Sequence, residues 1–248
     1  MTNRIKLSPL VGEIVARMET DIIFGRMRPN QEILEDTLMA RFEAKRHVVR
    51  SAIQELVAMG LATKVRSRSA RVKDFTPREV DEVYHMRALL QRNAAHIMPF
   101  PVSPQKLNVL KEIHVRYVAA VSVGADKYLI HTLNDEFHAQ LFSLCSNTEL
   151  CRAIHAYAER SNPIRSYGIT DASWLDQAIE EHAAMIHAIQ TQDRAALEQL
   201  VVDHMQPTRR RWEQAYAGPY EILATQALAP SRQTALDQAS PGMVTGAG

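Results

Sequence analysis

The fold is decided by the stretch Arg46–Lys73, which reads RHVVRSAIQELVAMGLATKVRSRSARVK. Its first half spaces apolar residues as a helix does, and it stops at Gly60, a residue type that often follows a helix. The second half contains two short extended pieces, Leu61–Lys64 and Ala70–Lys73, on either side of a basic tip. The pattern therefore predicts a helix followed by a β-hairpin.

Two further helices are predicted before this stretch. Apolar residues recur every four positions between Pro9 and Gly25, which is helical periodicity. A second, shorter helix is predicted around Leu38 and Phe42. Three helices and a basic hairpin match a winged helix-turn-helix, in which the last helix enters the major groove of DNA.

The distribution of charge agrees with a DNA-binding segment. The formal net charge of the 248-residue chain is only +1, but Met1–Asp74 carries 14 Lys and Arg against 9 Asp and Glu. The remaining residues carry 15 basic against 19 acidic side chains. A basic segment joined to an acidic body is typical of a nucleic-acid module attached to a second domain.

Composition narrows the class of protein further. Hydrophobic residues make up 46% of the chain and charged residues 23%, as in globular proteins. The two cysteines, Cys145 and Cys151, are too few for a disulfide framework and lack the spacing of a zinc knuckle. We find neither an apolar run of about 18 residues nor the apolar core of a signal peptide. We therefore expect a cytoplasmic protein with no membrane association.

The rest of the chain predicts an all-helical body. Helices are expected at Pro77–Met98, Pro104–Val121, Ala125–Cys145, Thr148–Arg160, Ser173–Gln192 and Arg194–Ala217. Because no strand pattern lies between them, we predict a mainly α protein: an N-terminal winged helix-turn-helix followed by an all-α antiparallel helical bundle. The expected divisions are a DNA-binding domain at residues 1–74, a helical domain at 77–217, and a disordered tail at 218–248.

Several polar residues of the helical region fall on apolar helix faces. They are Asn134 and His138 on one helix, His182 on another, His204 on the last, and Arg87 on the first. The histidines are either hydrogen-bonded core residues or converging ligands of a metal ion. A buried Arg87 needs an anion, which is either an internal carboxylate or an acidic ligand. We also expect Arg165 and Trp174 to flank the mouth of a pocket, whereas the other histidines show no converging pattern.

Residues of the winged segment also match a known DNA-binding family. They are Arg46 and Arg50, the run Ala52-Ile53-Gln54-Glu55-Leu56, Gly60-Leu61, and Arg68 at the wing tip. With them, Leu10–Lys73 resembles the GntR family of bacterial transcription regulators, which implies DNA contacts by Lys45, Arg46, His47, Arg50 and Arg68. The sequence departs from the family where KRHVVR replaces the common SRTPVR, and where Asp36 replaces a frequent arginine.

A second set of residues resembles an effector domain. The set is Asn134-Asp135-Glu136-Phe137-His138, Asn147-Thr148-Glu149-Leu150, Glu181-His182 and His204. It resembles the FCD ligand-binding domain of FadR-like GntR regulators, in which an acidic residue and three histidines surround a divalent metal ion. The resemblance implies metal ligation by Asn134, His138, His182 and His204, although Asn134 brings no charge to the acidic position. It also implies that Arg87 and Asn134 contact the effector.

These observations lead to one expected function and two alternatives. We expect a transcription regulator that binds a near-palindromic operator as a homodimer and senses a small organic acid together with a divalent metal ion. The alternatives are a metal-dependent hydrolase with a basic appendage, and a regulator whose signal is the metal itself. Hydrolysis is disfavoured because Glu181 lies about 100° from His182 on the helix and Asn134 cannot act as a base. We therefore do not expect an enzyme.

Overall fold

The computed structural model describes residues 8–65, 69–165 and 172–215. The elements are, in chain order, α1 Pro9–Ile23, β1 Glu32–Ile33, α2 Glu35–Phe42, α3 Arg46–Ala58, β2 Ala62–Thr63, β3 Ala70–Val72, α4 Pro77–Ile97, α5 Pro104–Ser122, α6 Lys127–Ser143, α7 Thr148–Arg160, α8 Asn162–Arg165, α9 Ala172–Gln190 and α10 Arg194–Asp203. Residues 206–215 are also helical. The expected class, a winged helix-turn-helix followed by a helical bundle, is confirmed.

The N-terminal part packs three helices on a small sheet. The strands run antiparallel in the order β1-β3-β2, with Glu32 opposite Arg71 and Ala62 opposite Val72. Strands β2 and β3 are the predicted hairpin. We did not predict β1, because two residues are too few to show alternation. The hairpin tip, residues 66–68 with the expected DNA contact Arg68, lies outside the described residues.

The apolar faces predicted for α1 and α3 form the core of this part. Ile14 and Met18 of α1 pack with Val49 and Ile53 of α3, and all four side chains are almost fully buried. Since these residues occupy one side of α3, the opposite side of this helix is left to polar residues.

Two features favour glycine at position 60, in the turn after α3. Its φ of +76° lies in the left-handed region, where a side chain is strained. A Cβ at this position would also lie 3.2 Å from Cγ of Arg160 on α7. The turn that follows α3 is thus in contact with α7 of the helical body, and α1 also packs against α8.

Sequence-encoded caps set where the bundle helices begin. Thr76 forms a capping box with Glu79 at the start of α4, and Pro77 occupies the first turn. Asp126 caps α6 by accepting a 2.8 Å hydrogen bond from the Tyr128 N–H, so this helix begins at Lys127 and not at Ala125. The bundle core is apolar and includes Phe137 and Leu141 of α6.

The last helix differs from the prediction of one continuous element. Helix α10 ends at Asp203, residues 204–205 form a turn, and helical structure resumes over 206–215. Pro207 explains the break, because its ring clashes with the carbonyl of Asp203 four residues earlier in a continuous helix. The turn places His204 at the end of α10, and residues 216–248 lie outside the described part of the chain.

Within residues 8–65, 69–165 and 172–215, no helix is both long enough and apolar enough to cross a bilayer.

Candidate functional site

Three histidines from three different elements meet inside the bundle. His138 comes from α6, His182 from α9 and His204 from the turn after α10. Nε2 of His138 lies 3.0 Å from Nε2 of His204 and 3.4 Å from Nε2 of His182. The potential ligand atoms of all three lie within 4.8 Å of one another. The structure thus brings together the three histidines that the sequence predicts to converge.

The two distances from Nε2 of His138 to the other histidines fit ligands of one divalent ion. Two nitrogens that each lie about 2.1 Å from one ion are roughly 3.0–3.4 Å apart at octahedral or tetrahedral angles. Asn134, one helical turn before His138, is buried, and its Oδ1 has no hydrogen-bond partner among the described residues. An unsatisfied buried amide oxygen is costly unless a ligand is present. The donor set therefore fits a metal ion held by three imidazoles and a neutral oxygen.

Burial keeps two of the rings uncharged. It lowers the pKa of His138 and the pKa of His182 well below the usual value of 6.5. A neutral imidazole has the lone pair that metal ligation requires. The ring of Phe137 stacks on His182 at a centroid distance of 3.9 Å and restricts its orientation.

Glu181 contacts the histidine cluster in a way that the pattern of its own helix does not predict. Nδ1 of His204 donates a hydrogen bond of 2.5 Å to its Oε2, which leaves Nε2 of His204 free to face the other two histidines. Burial opposes ionisation of Glu181, but hydrogen bonds from His204 and Gln177 bring its pKa below the ordinary value. Helix geometry turns Glu181 about 100° away from His182 on α9, and the partner of this carboxylate is His204, from a different element.

A cavity of about 390 Å³ opens beside the histidines. Bundle residues that line it include Asn134, His138 and His204. Arg165 and Trp174 also line it, as expected for the residues that flank the pocket mouth. One wall belongs to the N-terminal part: α1 contributes Ala16, Glu19, Thr20 and Ile23, and Phe24 follows directly after the helix. The cavity is therefore lined by both parts of the protein.

Arg87 lies in the cavity wall without an anion. The residue is buried, and its Nε and Nη1 atoms have no hydrogen-bond partner among the described residues. Burial lowers the pKa of Arg87 to about 10, so it remains charged at neutral pH. Of the two partners expected from sequence, the internal carboxylate is present only at a distance: Asp135 attracts Arg87 electrostatically, but no hydrogen bond joins the two in the described ranges. The Nε and Nη1 atoms are therefore left for an acidic ligand.

The second arginine of the cavity is already paired. Arg165 donates a 3.0 Å hydrogen bond to Asp135, whose pKa is about 2: burial opposes ionisation, but Arg165 and His131 outweigh it. Arg165 also donates to Asn162, and Asn162 donates to Glu19 of α1 at 3.0 Å. A chain of hydrogen bonds therefore runs from the residue beside Asn134 to the DNA-binding part.

The expected DNA contacts lie on one surface as far as they are described. Lys45, Arg46, His47 and Arg50 are all exposed at the start of α3. Arg46 pairs with Asp36 at 2.8 Å, and Arg50 pairs with Glu35 at 2.9 Å. Lys64, which we did not single out, lies 3.8 Å from Glu35 and adds a fifth basic side chain.

Comparison with known families agrees with this architecture. Residues 10–72 match the family described as bacterial regulatory proteins, gntR family, and residues 82–207 match the FCD domain. The chain belongs to the GntR family. It is a transcriptional regulator whose helical body is an FCD domain, and the expected FadR-like subgroup is consistent with this pairing.

Similar proteins share this fold. The GntR chain is 22% identical over 199 residues to the uncharacterized HTH-type transcriptional regulator YdhC of Bacillus subtilis, covering 80% of this chain and 89% of that protein. The structure of McbR/YncC from E. coli superposes with a TM-score of 0.70 at 20% identity, over 84% of this chain and 99% of that one. The structure of a GntR regulator from Rhodococcus sp. RHA1 superposes with a TM-score of 0.69 at 18% identity, over 84% of this chain and 100% of that one.

Proposed function

We propose that this GntR protein is a ligand-responsive regulator that binds a near-palindromic operator and senses a small organic acid together with a divalent metal ion. The observation that carries the proposal is the cavity, which is lined by His138 and His204 of the histidine cluster, by Arg87 with its unbonded Nε and Nη1, and by residues of α1. We further propose that residues 1–74 act as the DNA-binding domain and residues 77–217 as the sensing domain.

The cavity favours an anionic ligand. A bound divalent ion would supply positive charge and open coordination positions, with His138, His182, His204 and Asn134 as its ligands. Arg165 is neutralised by Asp135, which leaves Arg87 as the guanidinium available to a carboxylate. Because Asn134 is neutral, the site has one negative charge fewer than it would with an aspartate there, and this favours acid binding over tight metal binding.

Contact with α1 supports a response at the DNA. A ligand changes a conformational equilibrium only through different affinities for the two states. An acid in this cavity touches side chains of α1, whose opposite face packs on the recognition helix α3. Movement of α1 against the bundle therefore changes the position of α3.

The alternatives make different predictions from the same site. Catalytic hydrolysis needs a carboxylate base beside the metal-bound water, but Glu181 is occupied by His204. The third possibility, in which the metal itself is the signal, is decided by titrating acids into protein of known metal content.

The test begins with elemental analysis of the purified protein, followed by calorimetric titration of mono-, di- and tricarboxylic acids. We expect about one divalent ion per chain and binding of one class of acid, which then alters affinity for DNA. An effect of metal on DNA affinity without any acid effect would favour the metal as signal. Absence of both effects would contradict the proposal.

We expect the basic surface of α3 to supply the main DNA contacts. Arg46→Ala and Arg50→Ala are each expected to cost about 1–3 kcal/mol of binding free energy at the cognate site, because one arginine reaches a base edge and the other a phosphate. Electrophoretic titration against a duplex selected from a random library measures the loss. Arg92→Ala, on α4, is the control, and unchanged affinity of both α3 variants would refute the assignment.

We expect the regulator to be a homodimer. One winged module contacts few base pairs, whereas two modules related by a two-fold axis read two half-sites of a palindrome. Light scattering should therefore give about twice the chain mass of 28.0 kDa. A monomer at micromolar concentration, both alone and on DNA, is the result that contradicts this expectation.

A further inference from the structure

The start of α2 presents two carboxylates to the basic end of the recognition helix. Oε2 of Glu35 lies 2.9 Å from Nε of Arg50, and Oδ1 of Asp36 lies 2.8 Å from Nη2 of Arg46. Arg46 also approaches Glu35 at 3.7 Å. Two of the arginines expected to contact DNA, Arg46 and Arg50, are thus paired with carboxylates of the protein itself.

The two carboxylates differ in their surroundings. The side chain of Glu35 is only 21% exposed and interacts with three cations, Arg46, Arg50 and Lys64, so it supports the arrangement of α3 from beneath. The side chain of Asp36 is 82% exposed and, among the described residues, forms an ion pair only with Arg46. A carboxylate so exposed beside the recognition helix repels phosphates that approach this surface.

We propose that Asp36 is a specificity-determining residue of the DNA-binding surface, an inference that rests on the proposed DNA contact by Arg46. The Asp36–Arg46 ion pair holds this arginine away from phosphates, which are present on DNA of any sequence. Arg46 leaves the pair only where a matching base edge offers a stronger partner.

The strengths of the interactions make this competition effective. An exposed ion pair changes an equilibrium by about 1.4-fold to fivefold. A good bidentate contact between arginine and a guanine edge discriminates against a wrong base by about fivefold to 150-fold. The pair is therefore weak enough for a guanine to break and strong enough to reduce binding to unrelated sequences.

The test compares two duplexes: one selected by the wild-type protein from a random library, and a scrambled duplex of the same length and composition. Asp36→Asn is expected to bind the scrambled duplex about twofold to fivefold more tightly, with a smaller change for the selected one. The specificity ratio, which is the affinity for the selected duplex divided by the affinity for the scrambled one, therefore falls. If Arg46 gains a phosphate contact on scrambled DNA, the slope of log affinity against log salt steepens there by about 0.9.

Two further variants separate this role from general effects of charge and folding. Glu112→Gln removes the same charge from an exposed position on α5 and is expected to keep the specificity ratio of the wild type. Asp36→Glu retains the carboxylate and is expected to restore the ratio. Circular dichroism checks that each variant keeps its helical content.

The outcomes separate this inference from the proposed function. If the wild-type protein selects a sequence but the ratio for Asp36→Asn equals that for Glu112→Gln, the role of Asp36 is overturned and the proposed DNA contact stands. If the wild-type protein selects no sequence, the proposed DNA-binding function itself fails, and this inference fails with it.

Discussion

Replacing His182 with glutamine is expected to remove the bound divalent ion from the purified protein. His182 is fully buried, and its Nε2 lies 3.4 Å from Nε2 of His138, so its loss takes one of three imidazoles from the ligand set. Loss of a direct ligand should lower metal affinity by more than the roughly tenfold to hundredfold decrease that is typical when a residue supporting a ligand is removed. Mass spectrometry of metals after purification and competition with a chelator measure the change.

His187→Gln is a matched control for this variant. His187 belongs to the same helix, but its side chain is exposed and lies outside the histidine cluster. It should retain the wild-type metal content. Equal metal content in the two variants would identify His138, His182 and His204 as core residues, which is the other interpretation of the sequence pattern. Calorimetry with the acid found for the wild type then shows whether acid binding depends on the metal.

Replacing Arg87 with methionine is expected to stabilise the protein and to abolish its response to acid. A buried guanidinium with unsatisfied Nε and Nη1 destabilises the ligand-free state, and methionine fills a similar volume without charge. We expect the free energy of unfolding to rise by about 1 kcal/mol or more. Loss of the charged hydrogen bonds should weaken acid binding by roughly 1.5–3 kcal/mol. Chemical denaturation and calorimetry measure the two effects.

Arg165→Met is the counterpart that changes stability in the opposite direction. Arg165 bonds Asp135 at 3.0 Å, and its removal leaves that carboxylate beside an apolar side chain. We expect the free energy of unfolding to fall by about 1–3 kcal/mol. If both arginine variants destabilise the protein equally, Arg87 has an internal partner and its role as the acid receptor is refuted.

The local elements of this protein follow from short-range patterns. Each of these patterns acts within a few residues, so the element it produces can be predicted from sequence. Examples are the capping box of Thr76 and Glu79, the four-residue spacing on α1 and the turn at Gly60. The break after α10 follows from one residue, Pro207, which we did not weigh against the long helical pattern around it. Strand β1 cannot be predicted from sequence, because it exists only through pairing with β3.

Helical periodicity alone predicts that Asn134, His138, His182 and His204 face inward. The groups that these residues contact depend on the fold. Glu181 orients His204, Asp135 neutralises Arg165, and Asp36 holds Arg46, and in each pair the two partners are contributed by different elements. Periodicity fixes the direction of a side chain relative to its own helix. It does not fix how the helices pack, and the packing decides which charges pair and which arginine is left for a ligand.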